Sequence, residues 1–208
     1  MRSQSCIVSN NMGCLQSKID SVGVRPSKVS RNNFFFSHML GEGGFGKVTA
    51  AQIVVFDNSG MSSQWFAVKE VRKDEIFKHK TGVDMLHSEL KAMSRVAHPY
   101  IVRLCFAFAD EMSCFFVMDM KVGGDLREYL KAGIYFEERD ICIIVACMSS
   151  ALDYMHANFI LHRDVKPENI IFDDRGRPYL TDFGVSYVHD NKKAEFLCHS
   201  SSGTKQYL

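Results

Sequence analysis

Apolar positions along this chain first alternate at strand spacing and later recur at helical spacing, and the change divides the sequence. Residues 1–33 show neither period. They are rich in Ser, Asn and Gln and carry Arg2, Lys18, Arg25, Lys28 and Arg31 against Asp20 alone, the pattern of a flexible basic tail. From Phe34 the run Phe34-Phe35-Phe36 predicts a strand. A glycine cluster interrupts it, and β-branched residues resume from Val48 to Phe56. Asp57-Asn58-Ser59-Gly60 is a turn signal, and Trp65-Phe66-Ala67-Val68 starts another strand. Val83, Leu86, Leu90 and Met93 then recur at helical spacing, and that helix is expected to stop before His98-Pro99. Strands are predicted over Ile101–Ala107 and Phe115–Met120, ended by Gly123-Gly124. Beyond the glycines the pattern is helical, with a short helix over Asp125–Lys131 closed by Gly133. A long one is opened by Glu137-Glu138 and runs through about Asn158.

Composition narrows the class. In 208 residues, 46% are hydrophobic and 24% charged, the balance of a globular chain. Lys+Arg at 25 against Asp+Glu at 24 gives a formal charge of +1, which predicts no general attraction to nucleic acid. The 7 cysteines are scattered with no C-x-x-C pair and read as reduced thiols of a cytoplasmic protein rather than a disulfide framework or a zinc site. The apolar run Ile141–Met148 is shorter than the roughly 20 residues of a membrane span, so the expectation is a soluble, intracellular chain.

Five stretches carry candidate chemistry. Gly41-Glu42-Gly43-Gly44-Phe45-Gly46-Lys47-Val48 is G-x-G-x-x-G-x-V, whose glycines let backbone N–H groups approach phosphate oxygens. A plain glycine turn would read the same way. A dinucleotide-binding fold would need a helix after the third glycine, whereas Val48 to Phe56 is strand-forming. Lys69, in Ala67-Val68-Lys69, is either an edge lysine facing water or an inward one. Glu89, beside Leu86, Leu90 and Met93, is either a boundary residue reaching solvent or the partner such a lysine would need. The run His162-Arg163-Asp164-Val165-Lys166-Pro167-Glu168-Asn169 lies between Ile160-Leu161 and Ile170-Ile171-Phe172, and Thr181-Asp182-Phe183-Gly184 follows. A solvated loop accounts for the first run but not for Asp182-Phe183-Gly184 after a second apolar strand. Phosphoryl transfer accounts for both. It needs a carboxylate to orient the attacking hydroxyl, a cation on the phosphate and oxygen ligands for Mg²⁺, and Asp164, Lys166, Asn169 and Asp182 supply them.

With these motifs in this order, residues 35 to 208 resemble the eukaryotic protein kinases. Lys166, two residues past Asp164, resembles the serine/threonine type. Gly123-Gly124-Asp125-Leu126 and His98-Pro99-Tyr100-Ile101-Val102 resemble the AGC group, and within it the YANK-like branch. The resemblance implies an α+β, bilobal fold with a tail over 1–33, an N-lobe over 34–122 and a partial C-lobe over 123–208. It implies ATP and Mg²⁺ as cofactors and protein substrates bearing Ser or Thr. Leu40, Gly41, Gly43 and Gly46 would cover the nucleotide, and Lys69, held by Glu89, would bind its α- and β-phosphates. Val48, Ala67 and Ile171 would sandwich the adenine, with Met118 as gatekeeper and Asp119–Lys121 as the hinge backbone. Asp164 would be the catalytic base, Lys166 would contact the γ-phosphate, and Asn169 and Asp182 would ligate Mg²⁺. Ser200, three residues before Gly203-Thr204, is the candidate site for an upstream activating kinase, with Arg163 to receive the phosphate and Ser201 and Ser202 as rivals.

Three departures qualify the resemblance. Extra residues around Asp57–Ser63 predict an enlarged hairpin loop. The sequence ends at Leu208 before an Ala-Pro-Glu motif, which predicts a truncated helical C-lobe, and its alternative reading is a catalytically incompetent fragment that binds nucleotide or a partner. In that case Ile141–Met148 and Ile170–Phe172 would face water, an aggregation liability, and transfer to peptide would be negligible. Met12-Gly13-Cys14-Leu15-Gln16-Ser17 fits N-myristoylation of Gly13, with Cys14 for a second acyl chain, provided that translation starts at Met12. Only then is membrane association expected.

Overall fold

The computed structural model describes residues 29–43, 46–57, 60–189 and 203–205. The chain divides into two compact units. The first takes the described residues up to Val83 together with Leu104–Met120, and the second takes Asp84–Arg103 and the described residues from Lys121 on. Residues 84–103, expected within an N-lobe over 34–122, group with the second unit.

The first unit is one antiparallel sheet. Its strands are β1 (Phe35–Gly43), β2 (Gly46–Asp57), β3 (Gly60–Arg72), β4 (Leu104–Ala109) and β5 (Ser113–Asp119), in the order β1-β2-β3-β5-β4. Alternation along β2 and β3 sends Ala51, Phe66 and Val68 into a core shared with Phe34, Phe106, Phe108, Phe115 and Val117. Phe108 stacks on Phe34 at 5.9 Å and on Phe115 at 4.8 Å between ring centroids. A short helix, α1 (Lys73–Lys78), follows β3. The sequence pattern did not single it out; Asp74 and Glu75 sit in its first turn, and Ile76 is buried.

The enlarged loop expected around Asp57–Ser63 is not there. β2 and β3 stay paired from Gln52↔Trp65 out to Asp57↔Gly60, so the extra residues lengthen the hairpin itself. Ile53 to Phe56 are strong strand formers, and two residues between Asp57 and Gly60 suffice to close the ribbon. The strand expected over Ile101–Ala107 is likewise shifted. Ile101 makes only an isolated parallel bridge to Leu180, and β4 starts at Leu104.

In the second unit the helical spacing holds, with a different inward face. Helix α2 (Gly82–Arg95) exposes Val83 and leaves Leu86 and Leu90 half-buried, while Glu89, Ala92 and Met93 are buried. Helix α3 (Leu126–Lys131) is capped by Asp125, whose side chain accepts the Glu128 N–H at 2.8 Å. Gly133 follows at φ +69°, a left-handed conformation that glycine adopts without strain. Helix α4 (Glu138–Ala157) starts where expected, with the Glu137 N–H donating to the Asp140 carboxylate at 3.2 Å. It buries Cys147, Met148, Ala151 and Met155 and leaves Ile141, Ile143 and Val145 exposed. By length and composition this helix could cross a membrane, which the eight-residue run alone did not show. It packs on β6 (Ile160–Leu161) and β8 (Pro178–Leu180). β7 (Ile170–Phe172) pairs with β8, and β6 pairs with β9 (Tyr187–Val188). Ile170 and Phe172 are buried, which corrects the expectation that this run faces water; the first half of α4 does expose its apolar residues.

Candidate active site

The glycine cluster folds as a hairpin, with Gly43 opposite Gly46 and Gly41 opposite Val48. Its glycines are not equivalent. A Cβ on Gly46 would lie 2.1 Å from the carbonyl oxygen of Glu70, so only glycine lets β2 approach β3 there. A Cβ on Gly41 would meet nothing within 4 Å and one on Gly43 only Gly46 O at 4.0 Å, so the backbone at these two is open to approach. Leu40, just before them, is exposed.

The register collects the next candidates. Val48 pairs with Lys69, and Lys69 with Phe116, while Ala67 pairs with Met118. Residues two apart share a face, so Val48, Ala67, Lys69 and Met118 lie on one side of the sheet. Asp119 ends β5, and its carboxylate accepts the Cys105 thiol at 3.2 Å. Lys69 is half-buried in this first unit. Glu89 belongs to the second, where it is 5% exposed on α2 and so is not the solvent-reaching boundary residue that one reading of the sequence allowed.

The polar run after β6 forms a tight hydrogen-bonded cluster around Asp164. Oδ1 accepts the backbone N–H of Thr204 at 2.9 Å and its hydroxyl at 2.7 Å. Oδ2 accepts the Asn169 amide at 3.1 Å and the Lys166 ammonium at 2.8 Å. These four donors occupy the usual lone-pair directions of a carboxylate. Asn169 also donates to the Asp164 carbonyl at 2.7 Å, which leaves its own Oδ1 as its ligating atom, and Lys166 donates to the Thr204 hydroxyl at 2.7 Å. Burial would raise the Asp164 pKa, but the hydrogen bonds from Lys166 and Thr204 outweigh it and lower it below the ordinary value. Asp164 is therefore an ionised acceptor at neutral pH.

The loop is shaped from behind by His162. Burial pushes its pKa down, and the neutral ring donates from Nε2 to the Thr181 carbonyl at 3.0 Å while Nδ1 accepts the Asp164 N–H at 3.4 Å. Phe183, fully buried, packs edge-on against that ring at 5.2 Å. Thr181 donates its N–H to the Asn169 carbonyl at 3.0 Å, which brings the strand leading to Asp182 beside Asn169. Asp182 takes a left-handed φ of 61° and accepts the Gly184 N–H at 3.3 Å. Such a backbone costs on the order of 1–3 kcal/mol for a non-glycine residue and is common at functional sites.

Other expected residues fall around this cluster. Ile171 is half-buried on β7, and Lys121 lays its ammonium 3.9 Å from the centre of the Tyr179 ring. Arg163 donates from Nε to the Val185 carbonyl at 2.7 Å and lies over Tyr187. Ser200, its rivals Ser201 and Ser202, and Gly13 and Cys14 lie outside the described residues. The member that sequence reasoning missed is Thr204. It was read only as part of Gly203-Thr204, and nothing local signals that a hydroxyl 40 positions downstream would close on Asp164.

A strand-built glycine hairpin, a lysine on the same sheet and a separate helical unit carrying an Asp–Lys–Asn cluster define a class of nucleotide-dependent enzyme folds. Comparison with known proteins places the chain within that class. Residues 34–208 match the protein kinase domain family. A probable serine/threonine-protein kinase of Dictyostelium discoideum is 35% identical over 182 residues, covering 88% of this chain and 38% of the relative. Human serine/threonine-protein kinase 32C is 33% identical over 181 residues, covering 86% of this chain and 35% of the relative. Human 3-phosphoinositide-dependent protein kinase 1 is 33% identical over 184 residues, with 88% and 32% covered. The chain belongs to the protein kinase family, and its relatives bear out the serine/threonine, AGC-like resemblance of its motifs. It spans about a third of the length of these relatives.

Proposed function

We propose that this protein transfers the γ-phosphate of Mg-ATP to serine or threonine hydroxyls of proteins. The observation that carries the reading is the Asp164 carboxylate, ionised and held by Thr204, Lys166 and Asn169. The open backbone at Gly41 and Gly43 suits phosphate oxygens, and Lys69 supplies a cation on the same sheet. Val48, Ala67 and Met118 give that face an apolar floor for an adenine ring.

Asn169 Oδ1 and the Asp182 carboxylate are hard oxygen donors. Among the described residues no group of three or more His, Cys, Asp and Glu forms a metal cage. One amide and one carboxylate fit Mg²⁺ arriving with a nucleotide, since that ion commonly takes one or two carboxylates plus phosphate oxygens. When bound, Mg²⁺ and ATP supply the phosphoryl group and neutralise its charge. Lys166 turns from Asp164 Oδ2 toward that charge, and the lone pair it leaves on Oδ2, beside the Asn169 amide, accepts the hydrogen of the incoming hydroxyl, while Thr204 keeps Oδ1 fixed.

In the same reading, a phosphate placed on Ser200 by an upstream kinase competes with the Val185 carbonyl for Arg163. The protein is cytoplasmic, and membrane-associated only in a form started at Met12 and acylated at Gly13 and Cys14. Incubating the full-length protein with ATP, Mg²⁺ and mixed Ser-, Thr- and Tyr-containing peptides tests the activity. Phosphoserine and phosphothreonine should form and should disappear with Asp164→Asn. Nucleotide binding with no transfer, or transfer to tyrosine alone, would contradict the proposal.

A further inference from the structure

Asp173 takes no part in the chemistry outlined above, yet it is a carboxylate only 7% exposed at the turn between β7 and β8. Oδ1 accepts the backbone N–H groups of Arg175 and Arg177, both at 2.9 Å. Oδ2 accepts Arg177 Nε at 2.8 Å, Arg177 Nη2 at 2.7 Å and the Tyr179 hydroxyl at 3.1 Å. The backbone closes the same turn. The Asp173 N–H donates to the Arg177 carbonyl, and the Gly176 N–H donates to the Asp173 carbonyl, each at 3.1 Å. A carboxylate taken out of water must be offset by donors of this number and quality.

The hairpin that Asp173 closes joins the two candidate cation ligands. Asn169 immediately precedes β7, and Asp182 lies two residues beyond β8. Only three rungs connect them, Ile170↔Leu180, Ile171↔Tyr179 and Phe172↔Pro178, with the Thr181–Asn169 hydrogen bond at the open end. A two-stranded ribbon this short is marginal by itself, so its geometry depends on what grips it. Its far end is gripped from two sides. The Lys121 ammonium covers the Tyr179 ring, and Gly123 and Gly124 exchange backbone hydrogen bonds with Phe172 at 2.8 and 2.9 Å. Gly123 lies so close that a Cβ there would be 2.6 Å from the Asp173 carbonyl oxygen.

We infer that Asp173 is a positioning residue, with Arg177 and Tyr179 as its agents. By fixing the closed end of the β7–β8 ribbon it sets the alignment of Asn169 against Asp182 at the open end, and so the affinity of the pair for the Mg²⁺ of a Mg-nucleotide. The inference rests on the kinase reading. It predicts an effect on cation affinity beyond any effect on folding, as partners behind metal ligands commonly contribute 10- to 100-fold.

The test is calorimetric titration of the full-length protein with ADP, with and without MgCl₂, for wild type, Asp173→Asn and Tyr179→Phe. The expected result is a roughly tenfold smaller Mg²⁺ gain in ADP affinity for Asp173→Asn, with metal-free ADP affinity unchanged. Tyr179→Phe removes a single hydroxyl, preserves folding if Asp173→Asn does not, and should show a smaller loss of the same kind. Lower melting temperatures with the wild-type Mg²⁺ gain intact would overturn the inference and make Asp173 a structural residue only. A wild-type protein that binds ADP equally with and without Mg²⁺ would contradict the kinase reading itself, and the inference with it.

Discussion

Replacing Thr204 by Val removes one hydroxyl and keeps the backbone N–H that also holds Asp164. The lost hydroxyl donates to Asp164 Oδ1 at 2.7 Å and accepts from Lys166 at 2.7 Å, so the change touches both charged groups of the cluster. A hydrogen bond to a charged group contributes about 1.5–3 kcal/mol. If all of it acts on the placement of Asp164 in the transition state, turnover falls by about 10- to 150-fold. KM for ATP should change little, because Lys166 keeps its Asp164 partner and the Thr204 hydroxyl is assigned no contact with the nucleotide. The direction of the Asp164 pKa shift adds a second readout. With one lowering hydrogen bond gone, the acidic limb of the kcat profile should move to higher pH. Steady-state kinetics of the full-length protein, Thr204→Val beside Thr204→Ser, give both. Thr204→Ser should retain most activity. A Val variant within twofold of wild type, with an unmoved acidic limb, would refute the argument that Thr204 orients the carboxylate.

Gly46→Ala should destabilise the protein by about 1–3 kcal/mol, since its Cβ would run into the Glu70 carbonyl, whereas Gly41→Ala should leave thermal stability within about 0.5 kcal/mol and raise KM for ATP several-fold. Thermal melts and ATP titrations of the two variants separate a packing glycine from a ligand-facing one. His98 stacks on Tyr154 at 5.2 Å and accepts the Tyr100 N–H at Nδ1, and burial lowers its pKa. The unfolded chain therefore binds the proton more readily, so this part of the stability is present above about pH 6.5 and is lost progressively as pH falls below that value and through the lowered native one. Urea melts at pH 7.5 and 5.5 should show a smaller pH loss for His98→Gln than for wild type; equal losses would remove His98 as a contributor.

The catalytic constellation was legible because its members are chemically odd where they stand. A run of charges between apolar strands, and Asp-Phe-Gly after a second one, have few structural explanations, and the structure gathers Asp164, Lys166 and Asn169 into one cluster. The glycine hairpin was legible from the strand-forming residues that follow it. The long β2–β3 ribbon was misread on its return side: Val48 to Phe56 reads as strand, but the Gly- and Ser-rich stretch before Trp65 carries little strand propensity, and only its pairing with Ile53 to Asp57 makes it one. Thr204 and Asp173 were invisible for different reasons. Thr204 reaches Asp164 across 40 positions, and Asp173 sits in an ordinary turn sequence against which Gly123 packs from a distant part of the chain. Helical spacing located α2 but not its inward face, since packing, not periodicity alone, decides between Val83 and Ala92.

Asp164→Asn tests the central claim most directly, because it keeps the size and one accepting oxygen of the side chain while removing the charge assigned to accept the hydroxyl proton. Turnover and ADP affinity should be measured on the same preparation of full-length protein. The account predicts a loss of transfer of about 10²- to 10⁴-fold with ADP affinity within about threefold of wild type. Transfer that survives Asp164→Asn within a few-fold, or that is lost only together with ADP binding, would contradict it.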